Sequence, residues 1–250
     1  YGVRVRYVTF GSMAEAERSI RDGSVAFDVA VLEYDTIQVL NVDGLLAEID
    51  QRRLPNFEHI GASFRDLASD PGNRHSMPFM WGSSVLIVRP DLLTSPLTGW
   101  ADLWNPAFAS QILVREEPDE VMGVALKSLG YSINSDDQAE IAAAGQRLMD
   151  LKDAFTFVGV EAAEAVAPLL AGEAAVLIGW PGDVVYAQGQ NPGIQYVMPK
   201  EGAFLWGDAL VISARSPHQR AAELFLDFVL RPEMNAMVVN AYGYATANES

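Results

Sequence analysis

An α/β fold is what this sequence predicts, and three observations predict it. Short apolar runs rich in β-branched residues recur along the chain, as buried strands require. Between them lie segments with helical spacing, opened by capping signals and closed by glycine. The third observation is size: 250 residues with 50% hydrophobic content can bury a substantial core, as one large domain or as two modest lobes.

Residues 3–10 alternate and carry Val3, Val5, Tyr7, Val8 and Phe10, which predicts a strand running into the Gly11-Ser12 turn. Ser12-Met13-Ala14-Glu15 is a capping box, so a helix follows to about Arg21, with Gly23 as its stop. Residues 27–32 form a near-continuous apolar run typical of a buried parallel strand, and residues 36–40 predict a short helix ending near Gly44. The order β-α-β-α is that of an α/β layer.

Residues 77–88 predict strands around a break at Trp81-Gly82-Ser83-Ser84, and residues 99–104 a helical turn. Residues 112–114 predict a strand, followed by the acidic run Glu116-Glu117-Pro118-Asp119-Glu120 and a helix with Val121, Ala125, Leu126 and Leu129 on its buried stripe. That run therefore falls at the carboxyl end of a strand, where open α/β sheets bind ligands. Residues 136–151 and 161–170 predict helices, and residues 174–179 a strand that delivers Trp180. Pro181 suits the first turn of a helix carrying Asp183 and ending by Gly189. Strands are expected at 194–198 and 204–212, then a helix from Ser216-Pro217 to Leu230 and another after Pro232 through Asn240.

The net charge of -16, with only Lys127, Lys152 and Lys200 as lysines, opposes nucleic acid or an anionic membrane as partner and favours cationic ligands. Acidity that merely aids solubility accounts for the charge equally well. The absence of cysteine removes disulfides, thiolate catalysis and most structural zinc sites. No run reaches the roughly 18 apolar residues needed to cross a bilayer.

Two aromatic-acid pairs stand out. Trp206 and Asp208 are two apart in a strand-like run, so both side chains share a face. An indole face beside an anionic oxygen suits an organic cation. Trp180 and Asp183 make a second pair, with Glu117 and Glu120 upstream. The competing readings are an ordinary half-buried strand for the first pair and helix-dipole charge for some of the acids, Glu116 and Asp119 above all. Trp81, Trp100 and Trp104 are expected to pack the core, and His59, His75 and His218 to lie at the surface. No Gly-x-Ser-x-Gly, His-Glu-x-x-His or phosphate-loop pattern occurs, and Glu117 and Glu120 fall on one helical turn, unlike carboxylates that flank a glycosidic bond.

The chain resembles the periplasmic substrate-binding proteins of bacterial spermidine/putrescine ABC transporters over nearly its whole length. The resemblance rests on Pro78-Phe79-Met80-Trp81-Gly82, Trp100-Ala101-Asp102-Leu103-Trp104, Leu129-Gly130-Tyr131-Ser132, Gly179-Trp180-Pro181-Gly182-Asp183, Pro199-Lys200-Glu201-Gly202, Leu230-Arg231-Pro232-Glu233 and Gly243-Tyr244, in the family's order. It implies a two-lobed, hinge-closing type II periplasmic-binding-protein fold with discontinuous lobes, residues 1–85 with 208–250 and residues 86–207. It further implies a ligand-binding set of Glu117, Glu120, Trp180, Asp183, Trp206, Asp208 and Tyr244 around a polyamine, putrescine or spermidine, in an acidic interlobe cleft. Glu33 and Asp35 are weaker candidates, in a stretch where relatives present serine and tyrosine. Arg115, where relatives usually have a neutral residue, would neutralise the acidic run if it folded inward, and is expected to face solvent.

The implied partners are the polyamine and the permease subunits of the transporter, with no nucleic acid, no cofactor and no metal, and the protein acting as a monomer. The implied location is the periplasm, or an extracytoplasmic anchorage through a segment outside these 250 residues. Against the family pattern a central N-terminal strand is missing, so residues 3–10 and 27–32 are expected to flank an open slot, making the chain aggregation-prone. The alternatives are a receptor for another amine or a metal ion, and a ligand-free sensor or interaction protein.

Overall fold

The computed structural model describes residues 2–108, 111–115 and 117–249, and the chain divides into one unit of Tyr1–Trp81 with Trp206–Ser250 and a second of Gly82–Leu205. Glu116, expected as helix-terminal charge, lies outside the described residues.

In the first unit, Ser12 caps α1 (Met13–Asp22) by accepting from Glu15 N at 3.2 Å, while the Glu15 carboxylate reaches back to Gly11 N at 2.7 Å. Gly23 ends the helix at φ 70°, in the left-handed region that glycine enters without a Cβ clash. β1 (Val29–Glu33) and α2 (Tyr34–Val42) follow. The sheet has the order β1-β8-β2-β9, completed by β2 (Ser76–Ser83), β8 (Leu205–Ile212) and β9 (Ala245–Thr246). Alternation along β8 feeds two cores. Ala209 and Val211 face α1 and α2 with Ile20, Ile37 and Leu40, whereas Leu210 and Ile212 pack with Met77, Phe79 and residues Ala222 and Leu226 of α7 (Gln219–Val229). α8 (Pro232–Tyr242) leads to β9.

Three expectations fail here. Residues 3–10 form no strand; Val3, Val5 and Val8 are exposed, and Tyr7 is 82% exposed. Their β propensity has no hydrogen-bonded neighbour to act on among the described residues, and propensity without a ladder does not make a strand. The two segments therefore do not flank a slot: β1 sits at the sheet edge, paired with β8. That pairing is antiparallel, from Val29 opposite Ile212 to Glu33 opposite Asp208, where a parallel strand was expected. An apolar run reports burial, not direction.

The second unit holds a mixed sheet of order β5-β4-β6-β3-β7, built from β3 (Val85–Val88), β4 (Ile112–Arg115), β5 (Phe155–Val158), β6 (Val176–Gly179) and β7 (Gln195–Val197). β4 and β6 are parallel neighbours, and β3 runs antiparallel to β6 with Val85 opposite Gly179. β5 was not foreseen, since Phe155-Thr156-Phe157-Val158 is too short to separate from a loop. α3 (Pro118–Ser128) and α4 (Gln138–Met149) pack together, as do α5 (Ala162–Ala171) and α6 (Pro181–Gln190). The strands bury both faces. Val114, Ile178 and Leu86 pack with Trp100 and Phe108, while Leu113, Leu177 and Ile87 pack with Val166 and Leu169.

Trp100 stacks on Phe204 at 5.3 Å, Trp104 bonds Arg147 O at 2.9 Å, and Trp81 bonds Thr246 O at 3.0 Å, so these three rings are packing residues as expected. His59 and His75 are half-buried instead of at the surface, His75 Nδ1 lying 3.5 Å from Asp70 Oδ1; His218 is exposed.

Candidate functional site

In the second unit, one group of side chains gathers where β4 and β6 end and α3 and α6 begin. The parallel register sets Leu113 beside Leu177, and continuing it two residues brings Arg115 level with Gly179, just before Trp180. β3 supplies Ser84 through the pairing of Val85 with Gly179. Glu120, in the first turn of α3, accepts on Oε1 from Ser84 Oγ and from Trp180 Nε1, the latter at 3.1 Å. Its Oε2 is buried with no hydrogen-bond partner among the described residues.

Burial pushes the Glu120 carboxyl up; the Ser84 and Trp180 bonds and the Arg115 charge only partly oppose this. Glu117, immediately before α3, is also raised by burial against the pull of Arg115. Both are carboxylates short of compensation, which is the condition that an arriving ammonium relieves.

Arg115 and Asp183 form the buried counterpart. Arg115 Nη2 donates to Asp183 Oδ1 at 2.7 Å, and each residue is 1% exposed. Asp183 Oδ2 accepts from Trp180 N at 2.8 Å, capping α6. The guanidinium carbon lies 4.0 Å from the centroid of the Trp180 ring. Gly179 makes this possible: a Cβ there would sit 2.8 Å from Asp183 Oδ2 and 2.9 Å from Ile87 Cδ1. One expectation is corrected. Arg115 does not face solvent, because it shares a strand face with Leu113 and that face is buried. Asp183 is buried as well, its two oxygens bonding Arg115 and the Trp180 N–H.

In the first unit, Trp206 and Asp208 continue the β8 face that Leu210 and Ile212 bury, so the same-face expectation holds in the register. Trp206 meets Tyr244 edge-on, with ring centroids 5.2 Å apart and planes at 86°. Glu33 stands directly across the ladder from Asp208. Burial pushes the Asp208 carboxyl up to about 6. Tyr34, next to Glu33, covers Gly207 so closely that a Cβ at 207 would lie 2.4 Å from its Cε2. Burial, with Asp208 adding, pushes the Tyr34 hydroxyl up to about 12, and that hydroxyl has no hydrogen-bond partner among the described residues.

The residues singled out from the sequence thus fall into two groups. Glu120, Trp180 and Asp183 meet in one unit with Glu117 in the same field of charge; in the other, Trp206 meets Tyr244, and Glu33 stands across the ladder from Asp208 on the strand face that carries Trp206. Asp35 joins neither: it is exposed and its carboxylate bonds Thr36 N at 2.6 Å. Ser84, Tyr34 and the inward Arg115 were missed. Strand parity with Leu113 was the signal for Arg115, and the polar break before Val85 was the signal for Ser84. Among the described residues no group of three or more His, Asp or Glu is placed to hold a metal ion, and no helix is long and apolar enough to cross a membrane.

A model of the bacterial extracellular solute-binding proteins matches residues 1–250. The spermidine/putrescine-binding periplasmic protein of Escherichia coli K12 is 31% identical over 251 residues, covering 99% of this chain and 71% of the relative. The putrescine/agmatine-binding protein of Pseudomonas aeruginosa PAO1 is 27% identical over 268 residues, covering 100% and 72%. Among solved structures, a chain from Listeria monocytogenes superposes with a TM-score of 0.90 at 32% identity, covering 99% of this chain and 76% of that one. The spermidine/putrescine ABC transporter substrate-binding protein PotD of Streptococcus pneumoniae gives 0.83 at 28% identity, with 99% and 76% covered.

Proposed function

Because the chain belongs to the bacterial extracellular solute-binding proteins, we propose that it is the receptor of an ABC importer, capturing a polyamine outside the cytoplasmic membrane and delivering it to the permease subunits. It is a binding protein, not an enzyme, with the two-lobed type II periplasmic-binding-protein fold. The polyamine names carried by relatives at 27 to 31% identity support the ligand class.

The observation that carries the reading is Asp208. A carboxyl raised to about 6 by burial, on the strand face that carries the Trp206 ring, is a site that a protonated amine stabilises. Glu120, with its buried Oε2, offers the same chemistry in the other unit. The same acids are costly without a cation.

Isothermal titration of the purified chain with putrescine and with spermidine tests this. Saturable one-to-one binding of at least one of them, with the amine recovered unchanged, is expected. Failure of both to bind at millimolar concentration overturns the assignment.

A further inference from the structure

Arg115 and Asp183 withdraw from the second unit two groups that the residue pattern offered to a ligand. The indole face of Trp180 that lies against an acid is covered by the chain's own guanidinium, 4.0 Å away and only 1% exposed. The acid itself, Asp183, is held by that guanidinium at 2.7 Å and by the Trp180 backbone N–H at 2.8 Å. An ammonium seeking an aromatic face beside a carboxylate finds this position filled by a cation of the same charge. Arg115 Nη1 is also a buried donor with no hydrogen-bond partner among the described residues. An ammonium, which only donates, cannot satisfy it. What the unit keeps for a ligand is Glu120, through Oε2, with Glu117 adding charge.

We infer that Arg115 is a specificity-determining residue: it limits the second unit to one ligand ammonium and makes the chain selective for diamines over triamines. The inference rests on the polyamine-receptor reading and narrows it. Arg115 acts here as a built-in substitute for an ammonium. A triamine brings one positive charge more than a diamine, and the position beside Trp180 and Asp183 is already filled by the guanidinium.

Titration of the wild-type chain should give putrescine a dissociation constant at least tenfold below that of spermidine. The double variant Arg115→Met with Asp183→Asn removes the guanidinium without stranding a buried carboxylate, and the amide oxygen of asparagine can still cap α6. In that variant, confirmed as folded by its circular-dichroism melt, the preference should move at least tenfold toward spermidine. Arg115→Lys keeps the charge and should keep the wild-type order. A wild-type chain that binds spermidine as tightly as putrescine overturns the inference while leaving the receptor reading intact, as does a folded double variant with an unchanged ratio. A wild-type chain that binds neither amine removes the receptor reading, and the inference with it.

Discussion

Glu33 lies directly opposite Asp208 in the antiparallel pair formed by β1 and β8. Residues opposed in this way project from the same face with Cβ atoms about 5 Å apart, and like charges so placed destabilise the sheet. The neighbouring register positions, Val31 with Leu210 and Val29 with Ile212, are apolar and close the core. The acids therefore mark the end of a packed face, with Trp206 two residues before Asp208 on the same side of β8.

Asp208 makes stability depend on pH in a definite direction. Its folded carboxyl is raised from 3.8 to about 6, so between those values the folded chain holds a proton that the unfolded chain has released. Stability is then highest below about pH 4, falls as pH rises through the window, and is flat above about 6 as far as this group is concerned. The gap corresponds to roughly 3 kcal/mol at most. Asp208→Asn should melt higher than wild type at pH 7 and by a much smaller margin at pH 4.5. It should also weaken polyamine binding at pH 7 more than tenfold, and wild-type affinity should fall as pH drops below 6. Thermal melts and titrations at both pH values decide it; parallel melting behaviour of the two proteins would remove the raised carboxyl from the account.

Gly207 is fixed by the Tyr34 ring. A methyl group there must displace a side chain packed among Leu32, Ile37 and Leu40, because the nearest ring carbon would be 2.4 Å away. Overpacking of this kind costs about 1 to 3 kcal/mol. Gly207→Ala should lower the melting temperature and alter the near-ultraviolet circular dichroism of Trp206. A second change, Tyr34→Ala in the Gly207→Ala background, should recover part of the lost stability relative to the sum of the two single effects.

Removing one partner of the Arg115–Asp183 pair leaves an uncompensated charge in a site where each residue is 1% exposed. Such losses run to about 3 to 5 kcal/mol. Arg115→Ala alone should lower the melting temperature on the order of 10 °C, with much less loss when Asp183→Asn is added. Equal destabilisation of the single and double variants would mean that packing of the guanidinium, not the ion pair, carries the stability.

Most elements were legible because their signals are local. The Ser12 and Glu15 cap, the positive-φ glycine at 23, and the prolines opening α6 and α8 each act over a few residues. The pairing of Trp206 with Asp208 was legible for the same reason, since two-residue alternation is a property of any strand. Residues 3–10 misled because a strand needs a partner that its own residues do not specify. Arg115 misled because the family pattern has no charged residue at its position, whereas the strand's parity with Leu113 sends it inward to an acid 68 positions away. The union of Glu120 with Ser84 and Trp180 joins three separate segments, and only the β3-β6 and β4-β6 registers bring them together.

Trp180 serves Glu120 through a single proton, which makes its role separable from ring packing. The indole Nε1–H donates to Glu120 Oε1 at 3.1 Å and helps hold the carboxyl down against burial. Trp180→Phe keeps an aromatic surface under Arg115 but deletes that donor, so Glu120 should ionise at higher pH than in wild type. Because a lost hydrogen bond to a charged group is worth about 1.5 to 3 kcal/mol, polyamine affinity at pH 7 should fall roughly tenfold or more. The deficit should narrow as the pH is raised, in the direction that charges Glu120. Titrations of both proteins over a series of pH values measure this directly. A deficit that does not change with pH would assign the loss to ring shape, and no deficit at all would take Trp180 out of the ligand site.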